Sequence, residues 1–172
     1  RFVSTRTDVL VYETDVLAND VTVAGPITAS LFVSTTGTDS DWIVKVIDIL
    51  PEDFPLVGPT GQPNDPKLRG AQIMVRGDVM RGKFRNSMSK PEPFVPNQPT
   101  KVEFVLNDVF HTFKKGHRIM VQIQSSWFPL IDRNPQTFVD IYHAKESDFH
   151  KATQRVYHTP AMSSHLKVHI LN

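Results

Sequence analysis

The sequence predicts an all-β protein, a jelly-roll β-sandwich of two packed and mainly antiparallel sheets. Three observations carry that expectation. Among 172 residues there are 20 Val, 10 Ile and 14 Thr against 7 Ala and 10 Leu, a bias towards side chains that suit a pleated, half-buried surface. The chain is punctuated by 13 prolines, and no stretch between them sustains a helical period. Short segments of alternating apolar and polar residues recur from end to end, joined by connections too long for simple hairpins.

Val9 to Tyr12 reads as a short opening strand. Val21 to Ala24 runs into Gly25-Pro26, a break or bulge signal, and a strand resumes over Ile27 to Thr35 with Ala29, Leu31 and Val33 on one face. The cluster from Thr36 to Asp41 is a turn. Trp42 to Leu50 is apolar on both faces except for Lys45 and Asp48, which predicts a central strand. Residues 51–70 hold five prolines and three glycines, so a long surface loop is expected there. Gln72 to Val79 reads as a strand with Ile73, Val75 and Val79 facing one way. Four prolines between Pro91 and Pro99 mark a second irregular crossing. Val102, Phe104 and Leu106 alternate with Lys101, Glu103 and Asn107 in the next strand. After a turn at Lys114-Lys115-Gly116, Ile119, Val121 and Ile123 alternate with Met120, Gln122 and Gln124. Ser125 to Gln136 is a loop, and Val156 and Leu166-Val168-Ile170 belong to the closing strands. A turn or two of helix is expected within Ala144 to Ala152. Eight or nine strands of this kind suit two packed sheets.

Composition narrows the function. Lys plus Arg less Asp plus Glu is 19 − 18 = +1, too small a charge to steer the chain to nucleic acid or an anionic membrane. No apolar run approaches the ~18 residues of a membrane span. With no cysteine, a disulfide framework, a thiolate zinc site and a cysteine nucleophile are all excluded. Residues 1–172 suit one domain, and Arg1-Phe2-Val3 runs straight into patterned sequence without a signal peptide. The expectation is a domain cut from something longer.

The strand-to-helix nucleophile motif G-x-S-x-G is absent. Ser87-Met88-Ser89-Lys90 matches S-x-x-K, but its companion motifs are missing and a polar loop is the plainer account. Of the seven histidines, His165 and His169 share a strand face, yet four residues at the strand rise put them about 13 Å apart, beyond one ion. Solvated or locally hydrogen-bonded histidines are expected. Asp39-Ser40-Asp41 could bind a hard cation, but Trp42 and Ile43 follow at once and the rest of a calcium loop is missing, which favours a turn held by local hydrogen bonds. Lys114 to Arg118 reads as a solvated hairpin tip, and the arginines of Arg81-Gly82-Lys83-Phe84-Arg85 and of Asp132-Arg133 as groups that order irregular backbone. No metal or cofactor is predicted.

Several ordered motifs together resemble one family. Asp20 to Glu52 (DVTVAGPITASLFVSTTGTDSDWIVKVIDILPE), Arg81 to Ser87 (RGKFRNS), Phe113 to Thr137 (FKKGHRIMVQIQSSWFPLIDRNPQT) and Lys151 to Leu171 (KATQRVYHTPAMSSHLKVHIL) resemble the C-terminal domain of the cocaine esterase and X-Pro dipeptidyl peptidase group of serine hydrolases. Within that group the motifs are most similar to α-amino acid ester hydrolases and glutaryl-7-aminocephalosporanic acid acylases.

The resemblance implies a jelly-roll sandwich at the end of a three-part parent, behind an α/β-hydrolase domain with a Ser-Asp-His triad and a helical cap. None of the triad falls in the matching part, so no catalytic residue is assigned. The implied partners are the hydrolase and cap domains of the same polypeptide, with homo-oligomers left open and a periplasmic or secreted location favoured. The domain is expected to support the catalytic domain and to wall its substrate cleft. Position and loop character make Asp39, Asp41 and Trp42 on one loop, and Trp127, Phe128, Arg133 and Asn134 on another, the candidates for that contact. Trp127, Phe128, Leu130 and Ile131 put four large apolar side chains into one loop segment, and at least two are expected to be exposed beside Arg133. The alternative is an independent carbohydrate-binding jelly roll. It calls for aromatics on one sheet face, whereas the two Trp and three Tyr are scattered.

Overall fold

The computed structural model describes residues 2–171, and among them ten strands form two antiparallel sheets packed face to face. In chain order the strands are β1 (Val9–Glu13), β2 (Val21–Thr35), β3 (Asp41–Ile49), β4 (Gln72–Arg81), β5 (Thr100–Phe113), β6 (Arg118–Gln124), β7 (Gln154–Thr159), β8 (Met162–Ser163), β9 (His165–Lys167) and β10 (Ile170–Leu171). One sheet has the order β1-β6-β3-β4. The other is built around β2, whose 15 residues pair with β5 along one edge. Its opposite edge is covered in three pieces: β7 on Phe32–Thr35, β9 on Thr28–Ser30 and β10 on Thr22 and Val23. This is the two-sheet β-sandwich that the strand pattern predicts.

Gly25-Pro26 is a bulge within one long strand rather than a break between two. The β2–β5 register shifts between Gly25 and Ile27, and Gly25 takes φ 97°, a conformation that favours glycine. Pro26 has no N–H to give, so it belongs where the ladder is already interrupted.

The core lies between the sheets. Ala29, Leu31 and Val33 of β2 and Val102, Phe104 and Leu106 of β5 meet Trp42, Val44 and Val46 of β3. As predicted, β3 is central, between β4 and β6, and it is buried on both faces. On its outer side the Trp127 ring lies over the Lys45 ammonium, 4.2 Å from the ring centre, and also rests against Gly77. The alternation on β6 holds towards the core, where Ile119, Val121 and Ile123 pack, but Met120 and Gln122 are fully buried on the opposite face.

One expectation fails. Ile73, Val75 and Val79 do not share a buried face: a register shift opposite Val46 and Ile47 leaves Val75 as an extra residue that turns to the core, with Ile73 and Met74 exposed beyond it. Within 144–152 the expected turn of helix is a single 3-10 turn, and it extends no further. That turn, Glu146–Asp148, and the one before it, Ile141–His143, are each closed by an aspartate, Asp140 on the Tyr142 N–H and Asp148 on the Lys145 N–H. Such local side-chain bonds compete with helix continuation, and the segment has no apolar stripe to offset them.

Candidate functional site

At one end of the sandwich three irregular segments are tied together, and they contain six of the seven candidate residues, with Trp42 following directly in β3. Residues 36–41 leave β2, residues 81–94 follow β4, and residues 127–138 follow β6. Main-chain bonds link the first two: Gly82 N–H donates to Ser40 O at 2.8 Å and Phe94 N–H to Thr38 O at 2.9 Å. Thr38 N–H donates to Gln136 O at 3.1 Å, joining the third.

The side chains complete the knot. Asp39 Oδ1 accepts from the backbone N–H of Ser40 at 2.9 Å and of Lys83 at 3.1 Å. Asp41 Oδ1 accepts from Asn134 Nδ2 at 2.8 Å, and the Arg81 guanidinium sits 3.3 Å from the same carboxylate while also donating to Asp132 O. Arg85 donates to the carbonyls of Gly82, Glu92 and Pro93 and lies over the Phe94 ring, so both arginines order loop backbone. Burial raises the Asp39 carboxyl above the ordinary carboxylate range. Burial pushes the Asp41 carboxyl up to about 6, with the Asn134 hydrogen bond and the Arg81 charge pulling back.

Burial divides the seven candidates. Asp39, Asp41, Trp42 and Asn134 lie in the interior, Trp42 at 1% exposure, so none of them can form a contact wall directly. A turn rich in Asp and Ser reads locally as solvent-facing, but here its carboxylates bridge loops 40 to 93 residues apart. Their part is to fix the segment behind the surface. Phe128 and Arg133 are at the surface and Trp127 is half-buried. Phe128 is 64% and Leu130 67% exposed, with Ile131 half-buried. The Arg133 guanidinium lies 5.9 Å from the Phe128 ring centre and 5.4 Å from that of Phe149. Leu130 also lines a cavity of about 360 Å³ with Phe84, Met88 and Tyr142, and Met88 and Tyr142 are among the most exposed apolar groups of the chain. The result is a surface of large apolar side chains with one stacked cation, supported from below by the buried carboxylates.

Two further placements bear on chemistry. Ser87 Oγ accepts from the backbone N–H groups of Ser89 and Lys90, an ordinary polar turn. His117 is buried rather than solvated, and neither it nor His111 is locally paired. Both reach Asp48, His111 Nε2 to Oδ2 at 2.9 Å and His117 Nδ1 to Oδ1 at 2.8 Å, at the far end of β3. The one sequence signal for this cluster is a carboxylate in a largely apolar central strand, which demands a buried partner.

Comparison with known proteins places this architecture. The profile of the X-Pro dipeptidyl-peptidase C-terminal non-catalytic domain matches residues 3–167. The chain belongs to that family. As such a domain, it is similar to the cocaine esterase of Rhodococcus sp. (strain MB1 Bresler), with 30% identity over 166 residues, which is 96% of this chain and 26% of the esterase. Among solved structures, an aminopeptidase from the marine sediment archaeon Thaumarchaeota archaeon is 45% identical with a TM-score of 0.91, over 100% of this chain and 27% of that one. An α-amino acid ester hydrolase is 44% identical with a TM-score of 0.90, over 99% of this chain and 27% of that one. A CocE/NonD family hydrolase from Staphylococcus aureus shares the fold at 17% identity and a TM-score of 0.65. The domain therefore corresponds to about a quarter of the hydrolases it matches, and it is a non-catalytic unit of that hydrolase family; these matches lend the carbohydrate-binding alternative no support.

Proposed function

We propose that this domain docks on the α/β-hydrolase and cap domains of its own polypeptide through the surface of Trp127, Phe128, Leu130 and Arg133, and there forms part of the wall of the substrate cleft. The whole protein, in this reading, is a serine hydrolase that cleaves esters or amides of amino acids by acyl transfer. The observation that carries the docking surface is the exposure of Phe128 and Leu130 beside a guanidinium stacked on two rings, an apolar density that a solvent-facing loop does not need. The substrate class is supported by the similarity to an α-amino acid ester hydrolase and an aminopeptidase at 44% and 45% identity.

A chimera tests both parts. This chain replaces the corresponding segment of the similar α-amino acid ester hydrolase, with and without Phe128→Asp plus Leu130→Asp. Both side chains are already in water in the isolated domain, so the double variant folds as the parent domain does. In the chimera it is expected to lower the melting temperature and raise KM for an amino-acid ester. Unchanged stability and kinetics in the chimera would place the interface elsewhere.

A further inference from the structure

Two apolar cavities, of about 480 and 280 Å³, open along one side of the sandwich, between the β1–β6 edge of one sheet and the β7 and β9 edge of the other. Val121 and Leu166 wall both, so the two form one cleft between the sheets. Ile119, Val121, Val156 and Leu166 pack against the core from either side of it, yet all four are only half-buried. Exposed Tyr12 of β1 stands at the outer lip. This side of the core is left uncovered.

The strand beside the cleft is also unpaired. β1 is the outermost strand of its sheet, and its register on β6 continues one residue beyond the strand, where the Thr14 N–H donates to Ile119 O at 3.0 Å. Main-chain groups alternate in direction along a strand, so Leu10 and Tyr12 also address β6, while Val11 and Glu13 point their N–H and C=O groups away from it. Among the described residues no strand pairs with that outer edge, and no loop main-chain group bonds to Val11 or Glu13.

One occupant satisfies both features. A strand laid on β1 takes the Val11 and Glu13 groups into its ladder, and every second side chain, about 7 Å apart, enters the cleft beside Tyr12. A small apolar molecule would fill the cleft and leave the edge open. A second copy of this chain, pairing through its own β1, would bring a Tyr12 that already lines its own cleft, and this one would stay empty.

We propose that β1 is completed by an extended segment of the same polypeptide outside residues 1–172, with apolar side chains at alternate positions that fill the cleft. The chain spans about a quarter of the hydrolases it matches, and a segment tethered to the domain reaches the edge at high effective concentration. The cleft shares no side chain with the Phe128 surface, so neither reading rests on the other.

Hydrogen exchange of the 172-residue chain, read amide by amide by nuclear magnetic resonance, tests it. In the chain alone the Val11 and Glu13 amides are expected to exchange fast and those of Leu10 and Tyr12 slowly. The chain is then joined, ahead of residue 1 and through a flexible Gly/Ser linker, to the peptide Lys-Val-Thr-Val-Thr-Val-Lys, held in this way at about millimolar effective concentration. The Val11 and Glu13 amides are expected to slow at least about tenfold. Lys-Val-Val-Val-Thr-Thr-Lys has the same composition without the alternation and should leave them fast. Val11→Pro removes an outward donor at an edge position that tolerates proline, and it should abolish the protection of Glu13 without loss of the fold. No slowing with the alternating peptide, or equal slowing with both peptides, would overturn the proposal. The source of the strand is read in the chimera described above, by mass spectrometry of exchange across β1, where protection is expected with no peptide added. Fast exchange there would overturn the assignment to the same polypeptide. Protection in the chain alone that grows with its concentration would overturn it in favour of a second copy.

Discussion

Asp48→Ala takes away the one acceptor that two imidazoles share, and its cost follows from how each ring is placed. His117 is buried and donates or accepts at 2.8 Å through Nδ1, so without the carboxylate its ring nitrogen has no water to turn to. Leaving such a group unsatisfied costs roughly 1–3 kcal/mol. His111 is 31% exposed at the side chain and can rehydrate, which puts its loss at the low end of that range, about 1 kcal/mol. The sum is about 3 kcal/mol, and for a chain of this length about 2–4 °C of melting temperature accompany each kcal/mol. The expected fall is therefore about 6–12 °C, read by thermal melting monitored by circular dichroism and checked by urea titration. Asp48→Asn keeps one acceptor and should lose about half as much. Within the pair, His117→Ala should cost more than His111→Ala, because His117 is the more deeply buried and packs edge-on against Phe54. A stability change below about 0.5 kcal/mol for Asp48→Ala, in the range of ordinary surface substitutions, would refute the reasoning.

Asp41 supplies a pH dependence of definite sign. Its carboxyl titrates near 3.8 when unfolded and about 6 when folded, so between those values the folded state holds the extra proton and stability falls as pH rises. The contribution is fully present below about pH 4 and lost above about pH 6, and the interval corresponds to about 3 kcal/mol. Asp41→Asn cannot ionise and should flatten the curve between pH 4 and 6; an unaltered slope would contradict the assignment. Gly82→Ala would place a methyl carbon 2.5 Å from Ser40 O and 2.7 Å from Phe94 Cζ, and Phe94 is buried too tightly to swing away. The overpacking should cost about 1–3 kcal/mol, so a melting temperature within a degree of the parent's would show that the loop knot yields easily.

The local pattern made much of the sandwich legible. Val102, Phe104 and Leu106 advertise their face by strict alternation, and the central place of β3 follows from its two apolar sides. What escaped depends on partners distant in sequence. The bulge at Val75 is set by β3 across the ladder, and nothing between Gln72 and Val79 announces it. The three-piece edge of β2 is decided by residues more than 100 positions away. At the candidate site, the density of large apolar groups around Phe128 is a property of one short segment and could be read directly. The burial of Asp39 and Asp41 could not, since charged residues in a turn look solvated until Asn134 and Arg81 arrive from elsewhere in the chain.

The arrangement of β2 also sets a timetable for the nascent chain. One edge of this strand waits for β5, but the other stays open until residues 154–171 exist. Thr35 and its partner Gln154 are 119 residues apart, an interval that takes about 6–24 s at typical rates of translation, about 5–20 residues per second. For that time a 15-residue strand rich in Val, Ile and Thr offers an unpaired row of backbone donors and acceptors to any neighbouring chain. Crowded polysomes making this protein are thus exposed to strand exchange between nascent copies. Yield in the cell should depend on synthesis rate and holding chaperones more steeply than the finished domain's stability would suggest.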